Sequence, residues 1–202
     1  SIGFTETQQV DITVNDASTT FTGDISGTVE AGSVVSGTLT ATDLNAGITF
    51  SASHAGITFS TYPYTTTNNG IISLSETDDS SSTSRTVTWT YTPSTSYVGT
   101  DSFDITATDS IGNPQSKTIN ITVNDAGMTL EGTTTGYSTQ AGSTASGTLT
   151  ATDLNADISF SVSSSTTSNG GEITLSVNGN SSSTSRTVTW TYIPSTSYVG
   201  TD

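Results

Sequence analysis

Asp43-Leu44-Asn45 and Asp153-Leu154-Asn155 each put two side-chain oxygen donors two positions apart, in the same eleven-residue context SGTLTATDLNA. Each follows a segment that ends in Asn-Asp, at Asn15-Asp16 and at Asn124-Asp125, and Asp101, Asp109 and Asp157 add further carboxylates nearby. Oxygen donors without nitrogen or sulfur suit a hard cation. Calcium takes 6–8 oxygens in a flexible geometry, which fits ligands gathered from several loops, whereas magnesium keeps more of its water. Turn chemistry is the competing reading, because Asp and Asn side chains bond their own backbone two residues on wherever a chain reverses. The residues alone leave both open.

Other chemistry has little to work with. The chain has no cysteine and a single histidine, His54, and no two carboxylates are spaced as an acid and a base would be. No enzymatic activity is expected. His54 reads as a turn residue, and Arg85 and Arg186, in equivalent places before a Trp-containing strand, read as structural cations that pair with an acid or cover an aromatic face. Eighteen acidic residues against three basic ones give a formal charge of −15, so nucleic acid and anionic membrane are poor partners. No apolar run approaches the ~18 residues that span a bilayer, and no membrane insertion is expected of this segment.

The elements that carry these residues are repeated. SGTLTATDLNA stands at 36–46 and at 146–156, and SSSTSRTVTWTYTPSTSYVGTD (80–101) returns at 181–202 with Ile193 in place of Thr92 as its one change. SIGFTETQQVDITVNDA (1–17) aligns without gaps on SIGNPQSKTINITVNDA (110–126). This divides the chain into the C-terminal strand of a preceding repeat (1–17), a complete repeat (18–125) and a second repeat (126–202) expected to stop before its last two strands. The repeats differ chiefly where GITFSASHA (47–55) is echoed by GITFSTYPY (56–64), a duplication that predicts an added hairpin around Ser53–Gly56.

Apolar residues alternate with Thr and Ser at period two: Leu39 and Ala41; Val87, Trp89 and Tyr91; Phe103, Ile105 and Ala107; Ile119, Ile121 and Val123. With Phe21, Ile48, Phe50, Ile72 and Leu74 this amounts to about seven short strands per ~100 residues, the pattern of an immunoglobulin-like sandwich. No segment has helical periodicity. In such a sandwich the loops at 43–45 and 109 share one end of a repeat, and Asp101 and the run into Asn124-Asp125 share the other. Oxygen donors should therefore meet at each joint: Asn15, Asp16, Asp43, Asn45 and Asp109 at the first, and Asp101, Asn124, Asp125, Asp153, Asn155 and Asp157 at the second.

The TVNDA strand end, the GTLTATD strand and the YTPSTSYVGTDSFDITATDSIGN run, with a period near 100 residues, resemble the bacterial cadherin-like and Ig-like tandem repeats of large surface adhesins, among them RTX-type and biofilm-associated proteins. The resemblance covers nearly the whole chain and is strongest over 86–125. It implies an all-β fold of tandem seven-stranded sandwiches, an extracellular or cell-surface location, and a stalk whose joints are stiffened by Ca2+. The linker here keeps only Asn-Asp of the longer D-x-N-D-N pattern, and Gln140 stands where Glu30 does in the first repeat, which implies one or two ions per joint. The partners it implies are neighbouring repeats of the same chain. A polymerising subunit of an extracellular filament or sheath, joined to other copies of itself, is the first alternative. A carbohydrate-binding accessory module of a secreted protein is the second; it would need a row of exposed aromatics, for which Tyr62-Pro63-Tyr64 is the sole cluster.

Overall fold

The computed structural model describes residues 3–44, 47–54, 57–58, 63–76, 83–155, 157–179 and 183–202. All regular structure among them is strand, and among the described residues no helix is long and apolar enough to cross a membrane.

Residues 18–125 build two sheets. The first contains β1 (Thr20–Gly23), β3 (Val35–Thr42), β8 (Ser84–Thr92), β7 (Ile71–Glu76) and β6 (Tyr64–Thr65), in the order β1-β3-β8-β7-β6. The second contains β2 (Ser26–Glu30), β10 (Pro114–Asn124), β9 (Gly99–Thr108), β4 (Thr49–His54) and β5 (Ile57–Thr58), in the order β2-β10-β9-β4-β5. Neighbours are antiparallel except β2 and β10, which run parallel. Period-two alternation decides which faces meet. Leu39, Ala41, Val87, Trp89 and Tyr91 point in from the first sheet, and Phe103, Ile105, Ala107, Ile119, Ile121 and Val123 from the second. Burying each large apolar side chain contributes about 1.5–3 kcal/mol. Across the sandwich Trp89 meets Phe103 edge-on at 5.9 Å, and the Trp89 indole N–H donates to the Asp24 carbonyl at 3.1 Å. Gly37 is required beneath that indole, since a Cβ there would stand 2.5 Å from Trp89 Cζ2.

The duplicated segment forms the anticipated hairpin: β5 pairs antiparallel with β4 through Ser53↔Thr58 and His54↔Ile57 and extends the second sheet at its edge. His54 is the last residue of β4, not a turn residue; its Nδ1 donates to the Ser102 carbonyl at 2.7 Å and Nε2 lies 3.2 Å from Thr67 Oγ1. Arg85 faces inward on the register of Val87 and Trp89, pairs with Glu76, donates to the Ile48 carbonyl and covers the Phe50 ring at 5.6 Å. Of the aromatic cluster, Tyr62 lies outside the described residues and Tyr64 is half-buried against the core.

Residues 126–202 build one sheet from β11 (Thr129–Gly132), β12 (Ala145–Thr152), β13 (Glu172–Asn178) and β14 (Ser185–Ile193), in the order β11-β12-β14-β13. Its register repeats that of the first: Leu149 opposes Val188 as Leu39 opposes Val87, and Gly147 opposes Trp190 as Gly37 opposes Trp89. Among the described residues of 126–202 no second sheet faces this one, and Leu149, Trp190 and Tyr192 are half-buried where Leu39, Trp89 and Tyr91 are wholly buried. Tyr137, standing where the first repeat has Gly27, lies edge-on to Trp190 at 4.5 Å. Residues 3–17 carry the alternation of β10 but belong to no sheet; Val10, Ile12 and Val14 are 77%, 80% and 87% exposed.

Candidate metal centre

Strand ends deliver the carboxylates. Asp43 follows β3, and its N–H donates to the Thr83 carbonyl at 2.8 Å, so the backbone pairing of β3 with β8 runs one step past the strand and fixes where the loop begins. Its side chain is 3% exposed and accepts from Thr19 Oγ1 at 2.6 Å. Asp109 follows β9 and closes a tight turn: one carboxylate oxygen, Oδ1, accepts from the backbone N–H groups of Ile111 (3.0 Å) and Asn113 (2.8 Å). Asp16 comes from the exposed N-terminal segment, and Asn113 Nδ2 donates to its Oδ2 at 3.0 Å. Three chain segments thus meet at one end of the sandwich, and the carboxylates of Asp16, Asp43 and Asp109 offer oxygens that all lie within 4.8 Å of one another.

Two features distinguish this group from an ordinary acidic surface. Asp109 is 5% exposed, and its second oxygen, Oδ2, is buried without a hydrogen-bond partner. Buried polar atoms are nearly always partnered, so an orphan beside two other carboxylates asks for a cation or a water. In addition, the Asn113 backbone N–H foremost, with those of Ile111 and Gly112 assisting, holds the Asp109 carboxyl below its usual range despite burial, so it is ionised at neutral pH. Carboxylates this close repel one another unless a positive charge lies among them. Asn15, Asp16, Val14, Ala17, Leu44 and Ile111 line an open recess of about 340 Å³ at the same end. Asn45 lies outside the described residues.

The second joint gathers fewer of its expected donors. The Asp153 N–H donates to the Thr184 carbonyl at 2.9 Å, the counterpart of the Asp43 bond, and the Asn155 N–H donates to Asp153 Oδ1 at 2.8 Å. That last bond is the side-chain-to-backbone turn that Asp-x-Asn permits. Asn155 Nδ2 then reaches across to Asp125 Oδ1 at 2.5 Å, and Asn155 Oδ1 is left buried without a partner. Asn124 enters through its backbone, its carbonyl accepting from Ala31 N–H at 2.9 Å. Among the described residues no hydrogen bond brings Asp157 into the group; it is exposed, with a left-handed φ of 61°.

Asp101 is placed elsewhere than expected. It begins the inward register of β9 shared with Phe103 and Ile105, so its carboxylate turns into the sandwich, 6% exposed, and among the described residues none of its hydrogen bonds goes to Asn124, Asp125 or Asp153. There it accepts from Tyr91 Oη at 2.7 Å, Thr66 Oγ1 at 3.0 Å and the Ser102 N–H at 2.9 Å. Burial, followed by the bond to Asp101, pushes the Tyr91 hydroxyl well above the usual tyrosine range. Asp202 repeats the arrangement with Tyr192 (2.6 Å) and Asn169 (2.9 Å). Thr19 and Asn113 position the first centre without having been singled out in the sequence. Asn113 could have been found from its place four residues after Asp109, the span of a turn closed by an aspartate.

No family model matches the chain, and no curated protein matches it. Solved structures similar in strand architecture include the BIgI domain of beta protein from S. agalactiae bound to CEACAM1, at 20% identity over 53% of this chain and 97% of that one, with a TM-score of 0.37. The sialic acid binding region of a Streptococcus sanguinis SK1 adhesin is 10% identical over 90% of this chain and 70% of that one, with a TM-score of 0.40. Domains 5–6 of the S-layer protein SbsC are 14% identical over 92% of this chain and 88% of that one, with a TM-score of 0.31.

Proposed function

We propose that the chain is a structural segment of an extracellular adhesin stalk, in which calcium at the inter-repeat joints stiffens the array that supports cell adhesion. The observation that carries this reading is the origin of the three clustered carboxylates. Asp43 and Asp109 belong to loops of one repeat, while Asp16 belongs to the segment that enters it, so an ion held by all three ties the incoming chain to the body of the repeat. The orphaned Oδ2 of Asp109 gives that ion a ligand with no competing bond. A duplicated, cysteine-free chain has no disulfides with which to brace itself, and a metal clip is one local means. The role is mechanical and non-catalytic, and its partners are neighbouring repeats.

Isothermal titration of the 202-residue chain with Ca2+ tests it. Saturable binding in the range of roughly 10⁻⁴–10⁻³ M is expected, as for other extracellular modules. Asp43→Asn should abolish the tightest phase. Absence of saturable heat up to tens of millimolar Ca2+ would remove the calcium reading.

A further inference from the structure

The second joint contains an apolar contact that its carboxylates do not explain. Leu154 stands between Asp153 and Asn155, yet its side chain leaves their polar group and reaches the first repeat. A methyl group built on Gly32 would lie 3.5 Å from Leu154 Cδ1 and 3.0 Å from Thr95 Cγ2. Gly32 is in the turn between β2 and β3 with φ 76°, and Thr95 is in the turn between β8 and β9. The bare backbone of one and the methyl of the other form a notch at the end of the first repeat, and Leu154 Cδ1 lies beside the bare face of Gly32.

The repeat supplies its own comparison. Leu44 occupies the same place in the same SGTLTATDLNA sequence and is 79% exposed, whereas Leu154 is 43% exposed. The notch also recurs: Gly142, at φ 73°, would bring an added methyl 3.0 Å from Thr196 Cγ2. Each repeat therefore carries the leucine at one end and the Gly–Thr notch at the other.

We propose that the leucine of the Asp-Leu-Asn loop is an interaction surface that recognises the Gly–Thr turns of an adjoining repeat of this kind, and that Leu154 seated against Gly32 and Thr95 orients the second repeat without any cation. The covalent link at Gly127, with φ 74°, has no neighbour within 4 Å of an added methyl. The Asn155–Asp125 hydrogen bond beside Leu154 is a second point of attachment. Two separate contacts restrict rotation about the link as neither would alone.

Residual dipolar couplings of the full 202-residue chain in EDTA test the proposal apart from the calcium reading. The parent and Leu44→Ser should each fit a single alignment tensor for both repeats, because Leu44 is 79% exposed and lies away from the link between them. Leu154→Ser and, from the notch side, Thr95→Asp should each require two tensors, with the order of the second repeat at least halved. The proposal is overturned if the parent needs two tensors in EDTA, if Leu154→Ser or Thr95→Asp keeps one, or if Leu44→Ser loosens the chain equally. The amide shifts of Val87 and Val188 show whether each repeat remains folded, and should one variant unfold a repeat the other decides.

Discussion

Asp109→Asn separates a cation ligand from a turn residue. The asparagine keeps an oxygen at Oδ1 for the N–H groups of Ile111 and Asn113, so the turn can persist, but it puts an amide nitrogen where the orphaned Oδ2 stood. An amide nitrogen cannot ligate calcium. With a dissociation constant of roughly 10⁻⁴–10⁻³ M, 10 mM free Ca2+ should stabilise the parent by about 1.4–2.7 kcal/mol through binding to the native state alone. At roughly 4–8 °C per kcal/mol for a domain of this size, that is a rise in Tm of about 6–22 °C. The melt can be followed through Trp89, which is wholly buried, in a Trp190→Phe background that leaves the first repeat untouched. Asp109→Asn should lose the calcium-dependent rise, while Asp11→Asn, which removes an equal charge from the exposed N-terminal segment, should retain it. A full rise in Asp109→Asn, or none in the parent, refutes the reasoning.

Tyr91→Phe removes one of three donors to the buried Asp101 carboxylate and should cost about 1.5–3 kcal/mol in urea unfolding. Tyr192→Phe should cost less, because its partner Asp202 is exposed. The same hydroxyl sets an alkaline limit: unfolded tyrosine ionises near pH ~10 while native Tyr91 holds its proton, so stability present below pH ~10 should fall above it, less steeply in Tyr91→Phe. Gly37→Ala drives a methyl into Trp89 and should destabilise the first repeat by about 1–3 kcal/mol, with altered Trp fluorescence. Asp109 supplies the acid counterpart. Its depressed pKa contributes stability that is complete above the unfolded value near pH ~4 and is lost as pH falls through the lower native value. Between pH 5 and 2, acid titration in EDTA should therefore destabilise the parent more than Asp109→Asn.

Much of the sandwich was legible because its signal is period two. Leu39, Val87, Trp89, Phe103 and Ile121 all point inward as their alternation with Thr and Ser requires, and the sequence echo at 47–64 announced the β4–β5 hairpin. Asp101 shows where the reading was too coarse. The strand order of a seven-stranded sandwich puts it at the repeat end shared with Asn124-Asp125, yet counting by twos back from Phe103 puts it on the buried face. An aspartate on an inward register predicts internal donors, here Tyr91 and Thr66, before it predicts a ligand. Long-range proximity was less visible. Nothing local links Asn113 to Asp16, 97 residues apart, or Leu154 to Gly32; these contacts exist because two strand ends and a linker stop at the same edge.

That shared edge is also the argument for stiffness. If the donors came only from Asp43 and Asp109, a bound ion would firm up one end of one repeat and leave the incoming chain free to swing. Asp16 is exposed and held in the described structure by Asn113, on the turn that Asp109 closes, so the linker is already drawn towards the carboxylates. A cation there needs to displace no hydrogen bond at Asp109 Oδ2 in order to bind. Its binding energy therefore acts on the relative placement of linker and repeat and, because the ion binds only where both are folded, also adds to the stability of that repeat. In an array where each repeat contacts only its neighbours, such terms sum joint by joint. Calcium should then fix the incoming segment at Asp16 against the repeat in addition to stabilising that repeat, and small-angle scattering of the 202-residue chain in EDTA and in calcium would show a changed radius of gyration with unchanged strand content.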